Sequence, residues 1–203
     1  MQYTGERVIP KVMNPKDGML LEHIFRYKFA SKFCGPRVLD IACGVGYGSE
    51  ILIGKNHRVK DYIGIDSCPE SIEYATQHYS SFETSYYVDN ALNKNLRDIY
   101  GEFDTIISFE TIEHFKGDEA FIENLFRLLK PNGTLIISTP FGKGKDHPCS
   151  NSYHVYQYTE EEFMDILKPF RKVTMYHQID MIIERPKPDK KYYLMVAICR
   201  KVG

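Results

Sequence analysis

Apolar residues in this chain fall into short runs, each followed by a segment where they recur at helical spacing. In residues 18–33, Leu20, Leu21, Ile24, Phe25 and Phe29 share one helical face, which predicts an amphipathic helix ended near Gly35-Pro36. Glu22 and Arg26 form an i,i+4 pair on its other face. Beyond it, Arg37–Ile41, 62–66, 86–88, Phe103–Phe109 and 135–139 read as strands. Residues 47–53, Pro69–Tyr79, 93–100 and 118–129 read as the helices between them. Pro69 suits a first helical turn with Ser67 as its cap, and Pro131-Asn132-Gly133 marks a turn. Residues 159–167 open on a capping box, Thr159 with Glu162. Two strand-like runs follow, 172–178 and 192–199, joined by a polar, proline-stiffened loop and expected to pair antiparallel. Alternating strands and helices argue for an α/β doubly wound sheet of the Rossmann-like kind. Seven strands are expected, mainly parallel, with one antiparallel strand in a C-terminal hairpin and helices on both faces.

Composition narrows this picture. At 203 residues the chain suits a single domain, with 1–35 as an N-terminal arm and helix over a body formed by 36–203. A net charge of −1 supplies no basic field, which speaks against nucleic acid as a partner. Five scattered cysteines without a CxxC pair fit a reducing compartment better than disulfides or a cysteine zinc site. No apolar run is long enough for a bilayer, and the first ten residues are too polar for a secretory signal, so the expected location is cytoplasmic.

The chemistry starts at Asp40-Ile41-Ala42-Cys43-Gly44-Val45-Gly46, where a strand stops at a carboxylate and turns through glycines into a helix. Such turns let a ligand approach the backbone and offer N–H groups to it. Pyrophosphate is the usual guest, but Asp40 beside it would place like charges together. A cationic, phosphate-free ligand fits better, and S-adenosylmethionine (SAM) is the commonest. Asp66 ends the next strand about 20 residues on, where a carboxylate accepts ribose hydroxyls. Past the central strand lies Glu110-Thr111-Ile112-Glu113-His114, and His114 is the candidate base for a hydroxyl acceptor.

The glycine turn, Gly64-Ile65-Asp66, Asp89-Asn90-Ala91 and Leu128-Leu129-Lys130-Pro131-Asn132-Gly133, in that order, resemble a class I SAM-dependent methyltransferase over nearly the whole chain. The resemblance implies SAM held by Asp40, Ala42, Gly44, Gly46, Asp66, Ser67, Asp89, Asn90, Ala91 and Glu110, with Asp40 facing the methionine end and Asp89 the adenine. It implies catalysis by His114 with Glu110 and Glu113. Tyr3-Thr4-Gly5-Glu6-Arg7, the Glu110–His114 run and Tyr153-His154 are similar to bacterial glycan-associated methyltransferases of the type 11-like group. There the arm folds over the cofactor, with Arg7 or Arg26 on the methionine carboxylate. The implied reaction is methyl transfer to an oxygen, or a nitrogen, of a small or sugar-containing acceptor, with Lys143, Tyr153 and His154 toward that acceptor. Two alternatives stand beside it. One is a divalent metal on Glu110, Glu113, His114 and His154, as in HEN-type small-RNA 2′-O-methyltransferases; ubiquinone-biosynthesis O-methyltransferases carry a similar acidic cluster. The other is a non-catalytic SAM-binding subunit.

Overall fold

The computed structural model describes residues 7–203; the Tyr3–Glu6 part of the expected arm lies outside the described residues. Helix α1 (Gly18–Ala30) precedes an alternation of β1 (Arg37–Ile41), α2 (Gly48–Lys55), β2 (Asp61–Asp66), α3 (Pro69–Tyr79), β3 (Thr84–Val88), α4 (Leu96–Tyr100) and β4 (Phe103–Phe109). After a 3₁₀ turn at Ile112–His114 come α5 (Asp118–Leu128), β5 (Leu129–Pro140), α6 (Glu160–Ile166), β6 (Lys172–Ile179), β7 (Ile182–Glu184) and β8 (Leu194–Arg200).

These strands form one sheet in the order β3-β2-β1-β4-β5-β8-β6-β7. From β3 to β5 all pairing is parallel. Strand β8 inserts antiparallel between β5 and β6, and β7 pairs antiparallel with the outer edge of β6. The sheet therefore has eight strands, two of them reversed, where seven and one were expected. The difference is Ile182–Glu184, which is three residues long and too short to show a period.

Alternation of side chains divides the core. Leu39, Ile106, Leu135 and Ile137 point to the face covered by α5 and α6, with Phe121, Leu125 and Phe163. Val38, Ile107 and Ile136 point to the other face, with Leu20, Tyr27 and Leu52 of α1 and α2. The Pro131-Asn132-Gly133 turn survives as a bulge inside β5: Phe103 pairs with Leu129 but Thr105 with Thr134, and Asn132 has φ +63°. The capping box at α6 forms as expected. At α3 the cap is Cys68 rather than Ser67. Strand β1 has β2 on one side and β4 on the other, so the winding reverses there and the strand ends open a crevice. No helix among the described residues is long and apolar enough to cross a membrane.

Candidate active site

Two adjoining cavities of about 540 and 530 Å³ lie over the carboxyl ends of the parallel strands, sharing Arg7, Ala42, Asp66, Glu110 and His114. The backbone is strained where β1 and β4 reach them. Ala42 has φ +60° and Glu110 φ +50°, a region that L side chains rarely adopt. Gly44, at φ +57°, has open space where a side chain would be, so its backbone faces the cleft bare. Its N–H donates to Asp66 Oδ2 over 2.9 Å, while Cys68 N–H donates to Oδ1 over 2.9 Å. Each Asp66 oxygen keeps one further acceptor position.

One cavity is lined by Asp66, Ser67, Asp89, Asn90 and Ala91, which the sequence assigned to the nucleoside. Asp89 Oδ1 accepts from Asn90 N–H and Asn93 Nδ2, and Oδ2 accepts from Tyr100 Oη at 2.9 Å. Oδ2 retains one acceptor position.

The other cavity, the expected reaction end, is lined by Glu110, Glu113 and His114. Glu110 Oε1 accepts from Ser138 Oγ at 2.7 Å. Glu113 is fully buried; Thr139 Oγ1 donates to its Oε2, and its Oε1 has no hydrogen-bond partner among the described residues. Burial, then the nearby Glu110 charge, push the Glu113 carboxyl well above the usual carboxylate range. His114 Nδ1 lies 3.0 Å from the Tyr153 carbonyl oxygen, which only accepts. Nδ1 therefore carries a ring proton. Ligand atoms of Glu113, His114 and His154 lie within 4.8 Å of one another.

Several expectations are corrected. Asp40 is 1 % exposed and lines neither cavity; Tyr27 and Tyr62 both donate to its Oδ2, at 2.9 and 2.7 Å. It braces the turn from behind, and burial pushes its carboxyl up to about 7. Gly46 is also behind the cleft, where a Cβ would meet Ala75 at 2.6 Å and the Tyr86 ring at 2.7 Å. Lys143 lines neither cavity; its N–H donates to Gln157, and neighbouring Lys145 is tied to Asp118 at 2.7 Å. Glu110 stands outside the Glu113–His114–His154 group. Arg26 is not on a solvated face: it is 1 % exposed and lines the reaction end, as does Arg7. Tyr153 borders the nucleoside end and His154 the reaction end.

The sequence reading missed His23, Tyr47 and Tyr193, which also line the reaction end. His23 hydrogen-bonds Tyr47 Oη at 3.0 Å, and burial followed by the Arg26 charge holds its pKa well below the usual value. The signal for His23 was the polar stripe Glu22, His23, Arg26 on α1, which on sequence alone reads as a solvated face; Tyr47 and Tyr193 carried none.

Compared with known proteins, residues 17–178 match the family described as methyltransferase domain. A protein of Mycolicibacterium smegmatis named as a probable S-adenosylmethionine-dependent methyltransferase is 27 % identical over 169 residues, 81 % of this chain and 63 % of that protein. The bovine mitochondrial ubiquinone biosynthesis O-methyltransferase is 33 % identical over 125 residues, 59 % of this chain and 33 % of its own length. The chain spans about three fifths of the length of the first of these relatives and a third of the second. Among solved structures, the methyltransferase domain of bacterial CtHen1-C superposes with a TM-score of 0.65 at 20 % identity, covering 90 % of this chain and 98 % of that one. At that identity the likeness concerns the fold. The match over most of the chain, on a sheet whose strand ends open a crevice, decides the assignment: the chain belongs to the methyltransferase-domain family.

Proposed function

We propose that the protein transfers the methyl group of SAM to an oxygen of a small or sugar-containing acceptor. The observation that carries this is the His114 ring, whose proton is held at Nδ1 by the Tyr153 carbonyl while it borders both cavities. In this reading the two open acceptor positions of Asp66 take the ribose hydroxyls, and the one left on Asp89 takes the adenine amino group. Ala42 and Gly44 face the methionine chain, and residues 7–30 cover it. The acceptor hydroxyl gives its proton to His114 Nε2 as its oxygen bonds to the methyl carbon. The carbon–sulfur bond breaks, its electron pair stays on sulfur, and S-adenosylhomocysteine leaves. Alignment of the two reactants supplies several kcal/mol of this acceleration. The partial likeness to ubiquinone O-methyltransferases supports oxygen as the nucleophile, and the balanced charge supports an acceptor without a phosphate backbone. Calorimetry tests the cofactor: SAM binds and NAD does not, whereas tight NAD binding without SAM binding sinks the reading. A turnover screen over sugar nucleotides, quinols and short RNAs tests the acceptor.

A second reading has one observation behind it, the convergence of Glu113, His114 and His154. A carboxylate whose Oε1 lacks a partner, beside two imidazoles, suits a hard divalent ion. Such an ion supplies Lewis-acid polarisation of the acceptor oxygen, in place of a base at His114. Loss of turnover in a chelator, restored by Mg²⁺ or Mn²⁺ alone, selects this reading; activity indifferent to both rejects it.

A further inference from the structure

Arg26 is held in an unusual way. Its guanidinium is almost completely buried at the wall of the reaction-end cavity, and one donor, Nε, has no hydrogen-bond partner among the described residues. Its Nη1 donates over 2.8 Å to Gln178 Oε1, from β6, 152 positions away in the chain. Gln178 is itself fully buried, and its Nε2 donates to the backbone carbonyls of Glu22 at 3.1 Å and Asp180 at 2.8 Å. Arginine only donates and the two carbonyls only accept, so the amide has a single workable orientation. Leucine or methionine here would leave buried donors and acceptors unpaired. Glutamate would point an acceptor at two carbonyls. Glutamine alone satisfies all three neighbours. His23 beside Arg26 has its pKa held down by burial, so the cations of that wall are Arg26 and Arg7, and Arg26 is the buried one. Asp180 turns the chain from β6 into the extra strand β7, so this edge of the sheet is joined directly to α1.

We infer that Gln178 is a positioning residue: it fixes the Arg26 guanidinium at the cavity wall so that the guanidinium pairs with the carboxylate of the methionine part of SAM. The inference rests on the methyltransferase reading, and it separates cleanly from it by ligand truncation. S-adenosylhomocysteine carries the carboxylate, and 5′-methylthioadenosine is the same thioether nucleoside without the amino-acid end. The experiment measures both affinities by calorimetry for the wild-type protein and Gln178→Met. The expected result is a loss of about tenfold for S-adenosylhomocysteine, the scale of one charge-assisted hydrogen bond, with methylthioadenosine within twofold. Equal loss for both ligands, or no loss for either, makes Gln178 a packing residue and overturns the inference. Gln178→Glu covers the case in which the methionine variant does not fold. It keeps an acceptor on Arg26 but cancels its charge, so S-adenosylhomocysteine again weakens selectively, and unchanged binding overturns the inference. Failure of the wild-type protein to bind either ligand refutes the methyltransferase reading itself.

Discussion

The two ends of the cleft are built on opposite principles. At the nucleoside end, Asp66 and Asp89 are exposed enough to meet a ligand, and backbone amides, Asn93 and Tyr100 already hold their oxygens. At the reaction end, Glu113 is buried with one oxygen unpartnered, and Arg26 is buried with one donor unpartnered. A carboxylate whose oxygens are each already held by a donor is a rigid, cheap receptor for neutral hydroxyls at its remaining lone pairs. A half-bonded one in low dielectric is costly, and it persists where a ligand or a reacting group completes it.

The sharpest way to break this comparison is His114→Ala. If the reaction end does chemistry, kcat falls by roughly 10²–10⁴-fold while SAM affinity stays within about twofold. Equal losses in steady-state kinetics and calorimetry would make His114 structural. Asp66→Ala is the counterpart, expected to weaken SAM by roughly 10- to 100-fold and to destabilise the glycine turn, because Gly44 N–H loses its acceptor.

The pH dependence of stability reads the buried carboxylates. Asp40 titrates near 7 when folded against 3.8 in its ordinary state, so the native chain binds the extra proton between those values. Its contribution is present below about pH 4 and is lost as pH rises through about 7. Glu113 is shifted in the same direction. Denaturant melts should therefore show stability falling across that window, by up to about 1.4 kcal/mol per pH unit from Asp40. Asp40→Asn should lower that slope, leaving the part due to Glu113, and an unchanged slope would assign it elsewhere.

Smaller effects separate the two glycines. Gly46→Ala places a methyl against Ala75 and Tyr86 and should cost about 2 kcal/mol, some 4–8 °C in Tm. Gly44→Ala meets no neighbour and should cost about 1 kcal/mol from its positive φ, and its larger effect should be on SAM binding. Reversed outcomes would exchange their roles.

Much of the site was legible because it is local. Ala42, Gly44, Asp66, Asp89 and Glu110 all follow directly from where a strand ends, and strand ends are set by period and punctuation. Glu113 and His114 were found as residue types, but not their states. Nothing in Glu-Thr-Ile-Glu-His says that Glu113 is buried or that a carbonyl 39 positions later fixes the His114 tautomer. Asp40 was read as facing the methionine end because the family resemblance implies it. Two tyrosines, on α1 and β2, turned it inward instead.

The sequence by itself determined the alternating sheet, the glycine turn, the order of the carboxylates along the crevice and the family resemblance, since each is written within one element or one loop. Only the tertiary structure decided which polar groups face the cleft, which are buried and which remain unpaired. Those properties depend on what other elements bring alongside. Gln178 meets Arg26 because β6 lies at the same edge as α1, and no spacing in the chain encodes that meeting.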